Sequence, residues 1–433
     1  MTSALISNVL GGYLPTIDYA EGVWLVDTTG KRYLDGCSGA VVSLIGHSHP
    51  RVIEAITQQA QRATFAHRGS FTNEPLEEIA ERLTTMTGHA GLWFVNSGSE
   101  AVEAAMQFAL QYFREIGEPQ RTWFLSHAAG YHGNTLGALS LSGHARRDVV
   151  GKLSHDFPAL RAPYAFRDAP EMTDDEYCAL LLTEARVIFV ERAHETAAVI
   201  LEPVGGATVA ATVPPDGYWQ GIRALCDEFG VLLIADEVMT GMGRTGTLLA
   251  TEHWGVHADI VAFGKGLGSG YAAIAAVALD ERVLNALIQG SGRIKGGHTY
   301  SGNPLVAAAA LAVLNVIVDE DVIARGRDAA VPLAEGLRAL QAVHPLVADA
   351  RGLGMLQAIE LDASLPSPPL AQGMLAARLA TATTARGLLV YPATGGFNDA
   401  VLIAPPLTIT HEEVATLLEI LDAALSDVEA ELL

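Results

Sequence analysis

The sequence is poor in cysteine and in positive charge, and each shortage excludes a class of protein. Its three cysteines, Cys37, Cys178 and Cys226, are odd in number and too far apart for a metal site or a disulfide framework. The 49 acidic and 27 basic residues give a net charge of −22, which argues against a nucleic-acid partner because Lys and Arg hold phosphate backbones. We therefore expect no bound metal, no nucleic acid and a reducing compartment.

The sequence also lacks a long apolar run. The longest apolar stretch, at about residues 305–318, is alanine-rich and shorter than the roughly 20 residues that a spanning helix needs. Residues 1–14 contain no basic residue and no long apolar core, so they do not resemble a signal peptide. Half of the residues are hydrophobic and 18% are charged, which is typical of a globular protein. These features predict a cytoplasmic globular protein.

Lysine is scarce, and this makes one lysine informative. The chain has only Lys31, Lys152, Lys265 and Lys295, and its other basic residues are arginines. Lys265 follows a short apolar run, Ile-Val-Ala-Phe-Gly. Arginine carries charge equally well, but lysine readily loses its proton and forms a Schiff base. We therefore predict that Lys265 is catalytic rather than a surface charge.

A carboxylate occupies a matching position upstream. The apolar residues 231–235 end at Asp236, and such an uninterrupted run is typical of a strand that is buried on both faces of a parallel sheet. Ligands bind beyond the carboxyl ends of such strands, so Asp236 and Lys265 are expected in one crevice. Pyridoxal phosphate needs this pair, because the lysine holds its aldehyde and the carboxylate keeps its ring nitrogen protonated.

A candidate phosphate site precedes a predicted helix. The segment Asn96-Ser-Gly-Ser-Glu joins an apolar run to a helix-forming stretch, and Ser97 and Glu100 have the spacing of a capping box. The free N–H groups and the dipole at a helix start favour phosphate. Gly98 lets the backbone approach the ligand, and Ser99 lies in the same turn.

Strand and helix patterns alternate between about residues 65 and 315, which predicts a mostly parallel α/β sheet. Two further strands with a turn at residues 27–30 are predicted before it. Long helices are predicted after about residue 320, interrupted by two strands, and the last helix is predicted to begin after Thr410. The strands predicted from residue 65 onward are residues 123–125, 187–190, 198–201, 231–235, 260–263, 388–391 and 401–404.

Six motifs together resemble the class III, omega-type aminotransferases, which use pyridoxal 5′-phosphate. They follow the family's order through most of the chain: Asn96-Ser-Gly-Ser-Glu-Ala, Tyr131-His-Gly, Leu201-Glu-Pro-Val, Ala235-Asp-Glu-Val-Met-Thr-Gly-Met-Gly-Arg-Thr-Gly, Phe263-Gly-Lys-Gly and His298-Thr-Tyr-Ser-Gly-Asn-Pro. The resemblance implies the fold type I architecture, with a mostly parallel central sheet, helices on both faces and a small α+β domain built from both termini. We place the large domain at residues 61–319 and the small domain at residues 1–60 and 320–433.

The resemblance also implies roles for individual residues. Lys265 forms the internal aldimine and then moves the substrate proton. Tyr131 stacks on the cofactor ring and Val238 packs under its other face, while His132 and Glu202 lie close by. Each residue also has an alternative, purely structural role. Tyr131 would anchor its loop, Val238 would belong to the hydrophobic core, His132 would make structural hydrogen bonds only, and Glu202 would form an ion pair. Asp236 has the alternative of a helix cap.

Thr299 is expected to act across a subunit interface. By resemblance it bonds the phosphate of the other subunit's cofactor, which implies at least a homodimer with shared active sites. The alternative is a cap in a glycine-rich turn. Glu237 and Arg244, which lie in the same motif as Asp236, are predicted to be structural.

The chain departs from the family pattern at two places. Tyr391 stands where many omega-aminotransferases have an arginine that binds the substrate carboxylate, and a longer loop follows it. Arg68 and Arg293 are candidates to replace that arginine. Residues 37–42 lack the aromatic side chain that often walls the substrate pocket, which leaves room for a bulkier amine unless the backbone fills the space.

The predicted activity is amino transfer from an amine or omega-amino acid to a keto acid, pyruvate or 2-oxoglutarate. Other class III reactions on the same scaffold, a decarboxylating transaminase, an aminomutase or a racemase, stay open because all would keep Lys265 and Asp236. An inactive binding relative is disfavoured by the intact cofactor motifs.

Overall fold

The computed structural model describes residues 4, 6 and 14–433 of the chain. The expectation for residues 1–14 therefore falls almost entirely outside the described residues. Within the described part, no helix is both long enough and apolar enough to cross a membrane.

The strands of the described chain belong to three sheets. In chain order they are β1 (Ile17–Glu21), β2 (Trp24–Asp27), β3 (Arg32–Asp35), β4 (Gly91–Val95), β5 (Trp123–His127), β6 (Ala159–Leu160), β7 (Thr196–Leu201), β8 (Leu232–Asp236), β9 (Ile260–Phe263), β10 (Ala275–Leu279), β11 (Val347–Leu353), β12 (Leu356–Leu361), β13 (Leu388–Leu389), β14 (Tyr391–Pro392) and β15 (Ala400–Ile403).

Helices separate most of these strands. They are α1 (Ser38–Val41), α2 (Pro50–Arg62), α3 (Glu74–Thr87), α4 (Gly98–Glu115), α5 (Leu136–Ser140), α6 (Arg147–Val150), α7 (Ala165–Asp168), α8 (Asp174–Arg192), α9 (Tyr218–Phe229), α10 (Glu281–Gln289), α11 (Pro304–Asp319), α12 (Val322–Val343), α13 (Met374–Ala385) and α14 (His411–Leu432). Short 3₁₀-helices lie at Gly151–Leu153, Ala250–Trp254 and Lys265–Leu267.

The central sheet has seven strands in the order β4-β10-β9-β8-β7-β5-β6. Strand β10 runs antiparallel to β4 and β9, and the other pairings are parallel. Strands β4, β5, β7, β8 and β9 therefore all end at the same edge of the sheet. The predicted mostly parallel sheet is confirmed, and this edge gathers the loops where a ligand is expected to bind.

Both faces of the central sheet are covered. Every residue of β7 and β8 is buried, as their uninterrupted apolar sequences predict. From Ala198 to Leu201 and from Leu232 to Ala235, alternate residues belong to two separate apolar clusters, because successive side chains point to opposite faces. Helix α4 contributes to one cluster, and helices α8 and α9 contribute to the other. This arrangement fixes the strand ends between two packed layers.

The two smaller sheets come from the ends of the chain. Strand β13 pairs with β3 through Leu388 and Leu34, so a C-terminal strand completes the N-terminal sheet β1-β2-β3-β13. The sheet β11-β12-β15-β14 is built from the C-terminal part alone. The domain limits at residues 60 and 320 stay a prediction.

One expectation about secondary structure was wrong, and several strands were not predicted. Residues 187–190, predicted as a strand from their β-branched and aromatic composition, lie in helix α8, which begins with a capping box between Thr173 and Glu176. Val187 and Val190 are exposed there while Phe189 is buried, so the run follows helical periodicity. Strands β11 and β12 were missed, because their glycine-rich connection and the polar residues of β11 hide the pattern of a strand.

Candidate active site

A cavity of about 200 Å³ opens at the edge of the central sheet where its parallel strands end. Each lining residue ends or follows one of the strands β4, β5, β7, β8 and β9. All the predicted site residues line it except Thr299. The lining residues are Ser97, Gly98, Ser99, Tyr131, His132, Gly133, Glu202, Asp236, Val238, Met239, Thr240 and Lys265.

Sequence reasoning missed Gly133, Met239 and Thr240. Gly133 directly follows Tyr131 and His132, and Met239 and Thr240 directly follow Val238 in the motif that contains Asp236. Membership of a motif was therefore the available signal, but nothing in these residue types alone marks them as cavity lining.

Lys265 begins the short turn that follows β9. Its φ of 39° is in the left-handed region, which is unfavourable for a residue with a Cβ atom and is often found at functional sites. Burial lowers the pKa of Lys265 to about 8, against the opposing charges of Glu202 and Asp236. The amine therefore loses its proton far more easily than an exposed lysine, which is what a nucleophile or a base requires.

Asp236 and His132 form a buried pair. His132 Nδ1 lies 2.7 Å from Asp236 Oδ2, and Asp236 Oδ1 accepts a hydrogen bond from the backbone N–H of Val238. Burial lowers the pKa of His132, but the hydrogen bond and the charges of Asp236 and Glu202 outweigh it, and the net pKa is raised. The contact with His132 holds the Asp236 carboxylate in place, and the carboxylate in turn favours the protonated form of the imidazole.

Glu202 is held by the backbone rather than by a cation. Its Oε2 accepts from Tyr131 N at 2.9 Å and its Oε1 accepts from Gly206 N at 3.0 Å. Among the described residues no cationic side chain lies within 4.0 Å of Glu202, so the alternative of a structural ion pair was wrong. Burial raises its pKa to about 7, so the proton occupancy of Glu202 changes near neutral pH.

The start of helix α4 forms another part of the wall. Ser97 Oγ accepts from Glu100 N at 3.2 Å, as predicted, but Glu100 Oε2 accepts from Asn96 rather than from the Ser97 backbone. The predicted capping box is therefore only half formed. The N–H groups of Gly98 and Ser99 lie in the first turn, where a helix supplies no acceptor, and remain suited to an anion.

Gly98 is required by packing as well as by access. A Cβ atom at this position would lie 2.7 Å from Cγ1 of Val238, which also lines the cavity. Any larger residue would push Val238 or the helix start out of place. The sequence suggested only that glycine lets a ligand approach, so the contact with Val238 is a second reason.

The Tyr131 loop packs over the helix start. Ser99 Oγ accepts from Asn134 N at 3.0 Å, and a Cβ atom on Gly133 would lie 2.6 Å from the same oxygen. Tyr131 is half-buried, and its hydroxyl accepts from Arg146 Nη1 at 3.2 Å. This places the aromatic ring at the rim of the cavity instead of deep in the core.

Comparison with known proteins identifies the family. The family model described as Aminotransferase class-III matches residues 11–425. This chain is a class III aminotransferase. The uncharacterized aminotransferase YodT of Bacillus subtilis (strain 168) is 40% identical over 444 residues, covering 100% of this chain and 99% of YodT.

Two more relatives show the range of the family. The adenosylmethionine-8-amino-7-oxononanoate aminotransferase of Nitratidesulfovibrio vulgaris (strain Hildenborough) is 34% identical over 94% of this chain and 76% of its own length. The omega transaminase from Pseudomonas jessenii, solved in complex with PMP, is 31% identical with a TM-score of 0.91, covering 97% of this chain and 94% of that one. This class III aminotransferase is thus an enzyme, a transaminase, and the predicted α/β fold is confirmed.

Two charged residues near the site hold the aminotransferase together. Arg244 is buried and donates hydrogen bonds to the carbonyl oxygens of Met355 and Pro405 and to Ser38 Oγ. Glu237 is buried and accepts from Thr240 Oγ1 and Thr251 N. Neither lines the cavity, and these contacts agree with the structural roles predicted for both.

Several predicted residues lie outside the cavity wall in the single chain. Thr299 is exposed, in the loop before helix α11. Arg68 stacks on Trp93 at 3.8 Å from the ring centroid and donates to the Phe94 carbonyl, and Arg293 is exposed. Tyr391 lies in β14, paired with Leu402 of β15. The roles proposed for Thr299 and the two arginines stay predictions.

Glu237→Gln is expected to change how stability depends on pH. Burial raises the pKa of Glu237 from 4.5 to about 7, so its contribution is fully present below pH 4.5 and is lost as the pH rises through 7. Gln imitates the protonated carboxyl at every pH. The free energy of unfolding of the wild type, relative to the variant, should fall by roughly 2–3 kcal/mol between pH 5 and pH 8. Denaturant titrations at several pH values measure this, and a difference that does not vary with pH contradicts it.

Proposed function

We propose that this aminotransferase binds pyridoxal 5′-phosphate in the cavity and transfers an amino group from an amine or omega-amino acid to a keto acid, pyruvate or 2-oxoglutarate. One observation carries the proposal. A buried lysine with a lowered pKa, a buried carboxylate–imidazole pair and the N-terminus of a helix line the same cavity. The relative solved in complex with PMP supports it.

The chemistry of the cavity wall fits this cofactor. An aldehyde needs a lysine that is readily deprotonated, a pyridine nitrogen needs a carboxylate, and a phosphate needs N–H donors. Lys265, Asp236 and the Ser97–Ser99 turn supply one group each. Tyr131 and Val238 supply apolar surface for the ring, and buried His132 Nε2 has no hydrogen-bond partner among the described residues, so it is available to a bound group.

When bound, the cofactor supplies an aldehyde that takes up the amino group and a ring that accepts electrons. Lys265 Nζ would hold the aldehyde between turnovers and, once displaced, would carry the proton from the substrate's α-carbon to the aldehyde carbon of the cofactor. Its burial excludes water and keeps its pKa low enough for this work. Lys265 is thus the base of both half-reactions.

Asp236 is proposed to keep the ring nitrogen protonated. Its carboxylate must stay ionised in a buried place, which is unfavourable without a partner. His132 provides that partner at 2.7 Å, and Val238 N supplies a second hydrogen bond. His132 is therefore a positioning residue for Asp236. Glu202, whose charge raises the pKa of Lys265 against the effect of burial, is proposed to lie close to the cofactor.

Thr299 is proposed to act on the cofactor phosphate of the other subunit of a homodimer. It is exposed in the single chain, close in sequence to Tyr300, which is 67% exposed and packs edge-to-face on the exposed Phe65. Apolar side chains exposed together are typical of an interface. This surface supports a subunit contact that brings Thr299 near a second cavity.

A hybrid dimer of Lys265→Ala and Thr299→Ala subunits tests this role. If Thr299 acts across the interface, one site receives both lesions and the other is intact, so the hybrid should have about half the wild-type activity and wild-type cofactor affinity at that site. If Thr299 acts within its own subunit, neither site is intact. Each homodimer variant serves as a control, and a hybrid without an intact site contradicts the proposal.

The overall activity is tested with a panel of amines. Amines that are donors should bleach the absorbance of the bound cofactor, and pyruvate or 2-oxoglutarate should restore it. A protein whose absorbance responds to no amine and no keto acid is not acting as proposed. Release of carbon dioxide in step with bleaching would instead favour a decarboxylating transaminase.

A further inference from the structure

The loop that follows Tyr391, the residue at the position of the missing arginine, packs against two segments near the cavity. Beyond Tyr391, Thr394 N donates to the Ala207 carbonyl at 3.1 Å, and Asn398 Nδ2 donates to the Val209 carbonyl at 3.2 Å. A Cβ atom on Gly395 would lie 2.6 Å from the Thr208 carbonyl oxygen. The loop is therefore packed tightly against the segment that follows Glu202.

A histidine connects this loop to an arginine. His144 is buried, and its Nδ1 accepts from the backbone N–H of Arg146 at 3.1 Å. The proton of the neutral ring is therefore on Nε2, which donates to Thr394 Oγ1 at 2.9 Å. Burial, together with the Arg146 charge, lowers the pKa of His144 to about 4, so the ring is neutral at pH 7. His144 thus holds the backbone of Arg146 in place, and because its ring is neutral it does not compete with the Arg146 guanidinium for an anion.

The side chain of Arg146 lies beside the cavity. Its Nη1 donates to the Tyr131 hydroxyl at 3.2 Å, and its guanidinium carbon lies 5.7 Å from the centroid of the Tyr131 ring. The Tyr131 ring in turn packs on His144 with centroids 5.1 Å apart. In the part of the chain that the structure describes, Arg146 is the one arginine that hydrogen-bonds a cavity-lining side chain.

Arg146 also lacks a counter-charge. Many arginines of this acidic chain are in ion pairs, including its neighbour Arg147, which bonds Asp156. Within residues 14–433 no carboxylate lies within 4.0 Å of the Arg146 guanidinium, and its other N–H groups have no protein partner. An unpaired guanidinium at the mouth of a cavity is suited to a carboxylate, which it binds through two parallel hydrogen bonds.

We propose that Arg146 binds the carboxylate of the keto-acid acceptor and of carboxylate-bearing donors, in place of the late-strand arginine that Tyr391 replaces. This inference rests on the proposed function. Tyr131 and His144 hold Arg146, and the loop at Thr394 holds His144. The residue that selects acids would thus lie in the loop between α5 and α6 instead of in the late strand.

The test compares an acid with an uncharged acceptor of the same length. Arg146→Met should raise the KM for pyruvate about tenfold, equivalent to 1.4 kcal/mol, and change the KM for propanal less than about twofold. Arg146→Lys should recover part of the loss, because it keeps the charge but not the paired donors. Arg147→Met and Tyr391→Phe are the matched controls and should leave both KM values unchanged.

A binding measurement separates this inference from the proposed function. Calorimetric titration of the holoenzyme with propanoate, a carboxylate that cannot accept an amino group, should give a Kd about tenfold weaker for Arg146→Met than for the wild type. The role of Arg146 would be overturned if Arg146→Met changed neither the Kd for propanoate nor the KM for pyruvate. It would also be overturned if the variant raised the KM for propanal as much as the KM for pyruvate. Neither result would contradict amino transfer itself. A wild type that converts neither acceptor would instead count against the proposed function, and the propanoate titration would still decide whether Arg146 holds a carboxylate.

Discussion

Lys265→Ala is expected to lower turnover by at least about 10³-fold, because it removes the group that is proposed both to hold the cofactor and to move the substrate proton. The lysine is buried and its pKa is lowered to about 8, so no water molecule or surface residue takes over its work easily. The variant should fold, since the cavity wall keeps its other contacts. Assays of both half-reactions measure the loss.

The same role predicts which lysine carries the cofactor. Borohydride reduction followed by peptide mapping should label Lys265 alone, and the scarcity of lysine makes the map simple to interpret. Lys295→Ala, which removes an exposed lysine, is the control and should keep both the label and the activity. A label on Lys31, Lys152 or Lys295 contradicts the assignment.

Asp236→Asn is expected to reduce the half-reaction rates on the order of 10²-fold, because the fixed charge that is proposed to face the ring nitrogen is lost from a buried site. Some cofactor should stay bound through the start of helix α4. The pKa of His132 should fall, since Asp236 provides the hydrogen bond and part of the charge that raise it against burial. Rapid mixing with an amine and NMR titration of His132 measure the two effects.

The neighbouring buried carboxylate provides the control for this variant. Glu237→Gln alters a side chain that contacts Thr240 and Thr251 but does not line the cavity, and should keep the half-reaction rates within a few-fold of the wild type. Near wild-type rates in Asp236→Asn would show that Asp236 only caps the turn after β8, which was its alternative role.

The charged residues that follow buried apolar strands were predictable from the sequence. Lys265 and Asp236 follow apolar runs that form buried parallel strands. The carboxyl ends of parallel strands lie at one edge of the sheet, independently of the conformation of the loops. The loop contacts were less predictable. Glu100 bonds Asn96 instead of Ser97, and Glu202 is held by backbone N–H groups, because these details depend on the local backbone path.

Contacts between distant parts of the chain could not be predicted from the sequence. Arg146 was not selected among the arginines, since its approach to Tyr131 depends on His144 and on the loop at Thr394, some 250 positions later. The strand expected at residues 187–190 failed because helix capping and burial outweighed local composition. The role proposed for Thr299 involves a second subunit, whose position relative to this chain cannot be derived from a pattern within one chain.

Transfer of an isotopically labelled nitrogen tests the central claim most directly. The holoenzyme is incubated with a ¹⁵N-labelled amine that bleaches its absorbance, the free amine is removed, and pyruvate or 2-oxoglutarate is added, whichever restores the absorbance. One ¹⁵N atom per bleached site is expected to appear in the corresponding amino acid, alanine or glutamate, together with one equivalent of carbonyl product from the donor, and Lys265→Ala should produce neither. An unlabelled amino acid, or a bleached site that returns the nitrogen as ammonia, would contradict the proposed amino transfer.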